Sequence, residues 1–170
     1  MNIDDSVALA WNNRGLCLLG LGHPFDAALN IEKAIALEPK EPSFYNNIAA
    51  SYFDQLHADK ALAFFNKAIE LKPTFPEALM NRGNVLNFLG DLPGAINSYR
   101  ASTAAKPDYA DAHLHLSFAA LMAGLYEEGW KEFEWRWKTN QLPPRCLPFP
   151  EWNGEDLTGK VLLMYGEQGH

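Results

Sequence analysis

Asn13, Asn47 and Asn81 recur at a constant step of 34 residues, and these are the side chains whose spacing could do chemistry in this sequence. A carboxamide both donates and accepts hydrogen bonds, so it matches a peptide unit edge to edge. Asparagine ranks below alanine, leucine, lysine and glutamate inside helices, because its side chain competes for the backbone. A repeated asparagine within apolar, helical-looking segments therefore needs a reason. One reason is a grip on the main chain of a bound polypeptide. The other is structural, with amides capping or bridging turns between helices.

Groups for bond-making chemistry are not arranged for it. His113 and His115 are two apart on one helical stretch, so they face different directions and do not share a metal. The sequence holds no His-Glu-x-x-His and no Gly-x-Ser-x-Gly turn. Cys17 lies in an apolar helical run and reads as a small core residue. Cys146 lies among prolines, and the pair suggests neither a disulfide framework nor a zinc site. The adjacent acids Asp4 and Asp5, and Glu127 and Glu128, read as charge at helix N-termini. The expectation is no catalysis, no cofactor and no metal.

Composition narrows the partner. Of the 170 residues, 48% are hydrophobic and 21% charged, which is ordinary for a folded domain. The net charge is −7 and no lysine–arginine cluster occurs, so a nucleic-acid surface is not expected. The acidity favours neutral or basic partners through steering. Residues Met1 to Ser6 are unlike a secretory leader, and no apolar run reaches membrane-spanning length. A soluble, cytoplasmic protein is expected.

The elements that must position the asparagines repeat with them. Pro39, Pro73 and Pro107 share the 34-residue step, as do Ala27, Ala61 and Ala95, and Pro42 and Pro76. Gly90 and Gly124 share it too, with Gly22 lying two steps before Gly90. Each unit divides into two helical stretches with apolar residues every three to four positions. In the second unit these run from Pro42 to about Asp54 and from about Ala58 to Leu71. Pro24, Pro42 and Pro76 sit at helix starts, where a missing N–H costs nothing. Pro39, Pro73 and Pro107 stop the second helices. Gly15, Ala49, Gly83 and Ser117 share one position on the first helix; Ala27, Ala61, Ala95 and Gly129 share one on the second. Small residues there let the helices approach. Ile31, Phe65, Tyr99 and Phe133, with Leu18, Tyr52 and Leu86, fill the wedge between units. One helix pair cannot bury such a face alone, so neighbours stack.

These residues resemble the tetratricopeptide repeat. Unit one supplies Trp11, Gly15, Leu18, Ala27, Ile31, Ala34 and Pro39. Unit two supplies Tyr45, Ile48, Ala49, Tyr52, Ala61, Phe65, Ala68 and Pro73. Unit three supplies Leu79, Gly83, Leu86, Ala95, Tyr99, Ser102 and Pro107. A fourth matches in part through His113, Leu116, Ser117, Gly129 and Phe133. Arg136 there replaces Ala34 and Ala68, and no proline stands at Gln141, so the unit reads as a cap. The resemblance implies an all-α, right-handed superhelical solenoid of antiparallel helix pairs over residues 1–141. Its units are about 8–41, 42–75, 76–109 and a degenerate 110–141. A Pro/Gly-rich linker, 142–160, and the truncated start of an α/β domain, 161–170, follow.

The resemblance also implies that the first helices line a concave groove. Asn13, Asn47 and Asn81 then form a ladder along it, with His115 on the fourth rung. Asn12 and Asn46 lie beside them, and Asp54, Asn84 and Asn87 extend the polar surface. Large tetratricopeptide glycosyltransferases of the O-linked N-acetylglucosamine type carry a similar ladder. Phe53, Asp54, Phe88 and Met122 are the expected specificity neighbours.

Trp130, Phe133 and Trp137 are expected on one helical face, closing the array against Leu147, Phe149 and Trp152, with Trp135 pointing elsewhere. Pro143, Pro144, Pro148 and Pro150 then exclude a helix. Asn153 to Lys160 reads as turns, and Val161 to Tyr165 as one strand-like segment that lies on the last helix, is disordered, or pairs with a second copy. The run from Glu127 to Gly169 resembles the junction between tetratricopeptide repeats and a glycosyltransferase-like domain in bacterial proteins. It does so through Glu128-Gly129-Trp130, Glu134-Trp135-Arg136-Trp137, Trp152, Gly154-Glu155-Asp156-Leu157, Gly159-Lys160 and Glu167-Gln168-Gly169. The expected function is a protein–protein interaction scaffold. The alternatives are the substrate-recruiting arm of a larger glycosyltransferase-like enzyme, and a self-assembly scaffold forming homo-oligomers.

Overall fold

The structure, a computed structural model, describes residues 7–139 together with Asp156 and Thr158. The N-terminal acids, the proline-rich stretch, the strand-like segment, and Leu147, Phe149 and Trp152 lie outside the described residues. The described part is helical: α1 Ala8–Gly20, α2 Pro24–Leu37, α3 Pro42–Asp54, α4 Ala58–Leu71, α5 Pro76–Phe88, α6 Leu92–Ala105, α7 Ala110–Met122 and α8 Tyr126–Phe133, then a 3-10 turn over Glu134–Lys138.

Local chemistry sets these limits. Prolines open α2, α3 and α5. The Glu41 carboxylate accepts from the Ser43 N–H at 3.1 Å to cap α3, and Asp91 accepts from the Gly94 N–H at 3.0 Å to cap α6. Each first helix ends in a left-handed residue, so that the next N–H returns to the carbonyl five positions back. His23 bonds Leu18, His57 bonds Tyr52, Asp91 bonds Leu86 and Leu125 bonds Ala120, all at 2.9 Å. Glycine supplies the left-handed conformation at Gly22, Gly90 and Gly124, but in the second unit Leu56 adopts it, at φ 61°.

The helices of each pair touch through their small residues. A Cβ on Gly15 would sit 2.5 Å from Ile31 Cγ1, and one on Gly83 would sit closer still to Tyr99 Cε1. Ala27, Ala61 and Ala95 are fully buried, and so, to within 1%, are Ile31, Phe65 and Tyr99. Burying one such large side chain contributes about 1.5–3 kcal/mol. Each pair packs on the next, and the fold is a solenoid of paired helices. The backbones of α1 and α3, α3 and α5, and α5 and α7 come close, whereas those of the even-numbered helices do not, although the Arg100 side chain of α6 pairs with Glu128 of α8. The first helices therefore run along the inner, shorter side of the curve.

Two expectations are corrected. Cys17 is exposed. Its run, Leu16-Cys17-Leu18-Leu19, is apolar on every side, so sequence alone hides which residues face the core; Gly15 takes that place. The last helix also ends earlier than its aromatic spacing suggests. α8 stops at Phe133 and the chain tightens into the 3-10 turn, so Trp137 does not continue a helical face with Trp130 and Phe133. Arg136 is 8% exposed where the other units carry a buried alanine or serine, Ala34, Ala68 and Ser102. A side chain that large does not fit between two closely packed helices. Its guanidinium instead lies 4.4 Å over Phe133 and 4.5 Å over Trp137. Trp135 turns back and stacks on His113 of α7 at 3.9 Å. Trp130 stays 59% exposed.

Candidate functional site

The inner surface of the first helices is a grid. Leu9, Ser43, Glu77 and Asp111 form one row, and Asn13, Asn47, Asn81 and His115 the next. Leu16, Ala50, Asn84 and Phe118 form a third, and Gly20, Asp54, Phe88 and Met122 a fourth. On each helix these positions are spaced by three or four residues, so they share one stripe. They alternate with the core positions that face the second helices.

The amides are tied to one another across helices. Asn47 Nδ2 donates to Asn12 Oδ1 at 2.9 Å, joining α3 to α1. Asn81 Nδ2 donates to Asn46 Oδ1 at 3.2 Å, joining α5 to α3. Asn46 Nδ2 donates to Asn47 Oδ1 at 3.3 Å and links the two ties. Asn12 is 4% exposed and so acts inside the seam as a positioning group. Asn46, Asn47 and Asn81 are half-buried, and Asn13 is exposed. Each tied Nδ2 uses one of its two N–H groups in the tie. The amides are thus held in fixed orientations with donor capacity left over.

The remaining expected residues divide between two environments. Asn84 Oδ1 accepts from the Tyr99 hydroxyl at 2.9 Å, and burial pushes that phenol up to about 12, so it stays a donor. His115 stacks on the Tyr99 ring at 5.6 Å. Burial lowers its pKa from 6.5, against the opposing charge of Asp111, so the ring is neutral at neutral pH. Asp54 and Asn87 are exposed. Phe53 and Phe88 meet edge to face at 5.5 Å. Beyond them, Phe88, Phe118 and Met122 are 57%, 48% and 71% exposed.

Sequence reasoning missed Glu77, Asp111, Leu16 and Phe118 on this face. The signal was present, since each lies on a 34-residue row through a residue already singled out or beside one. It also missed Arg82, whose Nε donates to Ser98 Oγ at 3.0 Å and so points to α6. Among the described residues no group of three His, Cys, Asp or Glu side chains could hold a metal. No described helix is long and apolar enough to cross a membrane.

The fold defines a helical repeat solenoid. More particularly, tetratricopeptide repeat models match residues 42–75 and 64–97, and the chain carries these repeats. The crystal structure of MamA is similar in fold, with a TM-score of 0.71, 22% identity and 79% of each chain covered. The first tetratricopeptide domain of Spaghetti (RPAP3), bound to the HSP90 peptide SRMEEVD, is also similar: TM-score 0.67, 22% identity, 73% of this chain and 98% of that one. Protein FlbA of Caulobacter vibrioides is 26% identical over 163 residues, which are 93% of this chain and 27% of FlbA. The chain therefore spans little more than a quarter of that relative's length.

Proposed function

We propose that this array holds an extended segment of another polypeptide in the hollow of its first helices and does not itself catalyse a reaction. The supporting observation is the tied row of amides: Asn47 and Asn81 are fixed by Asn12 and Asn46. Fixed amides lose little side-chain freedom on binding, which favours affinity. Their spare N–H groups suit backbone carbonyls of any sequence, while Asp54, Phe53, Phe88 and Met122 supply selectivity. The RPAP3 domain holding a peptide supports the same use of this fold. The test is binding by the double variant Asn47→Ala/Asn81→Ala, with folding checked by circular dichroism. A loss of about tenfold or more in affinity for peptides selected on the wild-type chain is expected. Unchanged affinity for all of them would show that the amides are not the grip.

A second reading makes the array the recruiting arm of a larger protein, with the glycosyltransferase-like junction at residues 127–169. It is favoured by the alignment of 93% of this chain with 27% of FlbA. Its test is whether the native reading frame continues past His170 into an α/β domain.

A further inference from the structure

The charged and apolar side chains of the groove fall at different places along the first helices, and both bear on what it can hold. None of the inner rows contains lysine or arginine, yet they contain Asp54, Glu77 and Asp111. No ion pair among the described residues engages these three acids. His115 does not offset them, because its burial favours the neutral ring. Three cations of these units make contacts of their own, and Lys106 does so on the same Tyr109 that Glu77 and Asp111 influence. Arg82 bonds Ser98 on the core side, Arg14 lies 5.7 Å over Trp11 and Lys106 lies 4.8 Å over the Tyr109 ring. Glu77 and Asp111 hold the same position on α5 and α7, two helices that pack against each other, and after burial both carboxylates raise the pKa of the Tyr109 phenol. At the other end of the same two helices, about 16 Å from the acids by helical rise, Phe88 and Met122 present exposed apolar surface, with Phe118 between. Phe118 meets Phe133 at 6.0 Å, so the surface continues onto α8.

We infer that the segment held in the groove is basic and apolar, with lysine or arginine facing Glu77 and Asp111 and a large aliphatic or aromatic side chain against Phe88, Phe118 and Met122. This rests on the groove reading above and names its ligand class. An acidic segment such as SRMEEVD, held by the RPAP3 domain, would meet like charge here, which costs affinity and selects against such partners. Because the acids are at least partly exposed, attraction to the basic segment weakens as salt rises.

The test is selection of random phage-displayed peptides on the intact chain at physiological salt, followed by titration of labelled selected peptides. Selected sequences are expected to be enriched in both lysine or arginine and leucine, phenylalanine or methionine. The variant Glu77→Gln/Asp111→Asn should bind them about tenfold more weakly, as expected for two partly exposed charge contacts. Phe88→Ser should weaken them as well. Selected peptides that are acidic or show no charge bias, or that bind the Glu77→Gln/Asp111→Asn variant unchanged, overturn the inference; if they still respond to Asn47→Ala/Asn81→Ala, the groove reading survives. Displacement of the peptides by a synthetic peptide of residues 140–170 stronger than their own affinity would make the chain's own tail the occupant and overturn the inference. Failure to select any peptide overturns both.

Discussion

Between α3 and α5 the first helices are tied by Asn46 and Asn81; one step on, between α5 and α7, the equivalent residues are Met80 and His115. The backbone step is the same and the chemistry is not. At the first seam an amide pair spans the helices, and the α1–α3 seam repeats it with Asn12 and Asn47. At the later seam His115 turns onto Tyr99, and Tyr99 in turn bonds Asn84. The contrast separates two tasks that a repeat protein often shares out. The packing residues keep the spacing in every unit, which leaves the inner positions free to change from amides to acids and aromatics.

Four substitutions break or sharpen this contrast. Tyr99→Ala should have the largest effect, destabilising by about 4 kcal/mol in urea unfolding, because it empties the space between α5 and α7. It should release the fourth unit more than the first, which hydrogen exchange resolves by helix. A uniform loss of protection would mean the two seams are not separable. Asn47→Ala comes next, at about 1–2 kcal/mol, since it leaves the buried Asn12 oxygen without its donor. Leu56→Gly should stabilise by about 1 kcal/mol by relieving a left-handed leucine. The corresponding change in other units is not available, because they already carry glycine.

The smallest effect is that of pH at His115. Its pKa is lower in the folded chain than the ordinary 6.5, so the unfolded chain binds the proton more readily. The stability of the neutral ring is fully present above about pH 6.5 and is lost as pH falls toward the folded value. His115→Asn should flatten the fall in melting temperature over that interval. An unchanged slope would place its origin elsewhere.

The helix limits of the second unit were legible in the sequence, since proline and the apolar period act locally. So was the small-residue contact, because Gly15 and Gly83 recur against Ile31 and Tyr99. The left-handed turn at Leu56 was not legible, as nothing in a leucine announces it; only the glycines at equivalent places do. Cys17 was misplaced because its neighbours are apolar all round. The amide ties were half-legible. The asparagines stood out at 34 residues, but the bonded pairs, 12 with 47 and 46 with 81, are 35 apart. The tie thus joins two different positions of successive units, and a search for equal positions passes over it. The 3-10 turn depended on Arg136, a departure from the repeat whose outcome is set by the fit between helices.

The amide ties along the inner side also bear on how the array deforms. Its inner line is stitched by amides from α1 to α3 to α5, while the backbones of the even-numbered helices stay apart and Arg100 of α6 reaches Glu128 of α8 through its side chain. Under tension the first three pairs are expected to behave as a leaf spring whose inner leaf is the stiffer one. That part of the hollow should then open or narrow by fanning of α2 and α4, with the spacing of Asn12, Asn47, Asn46 and Asn81 held.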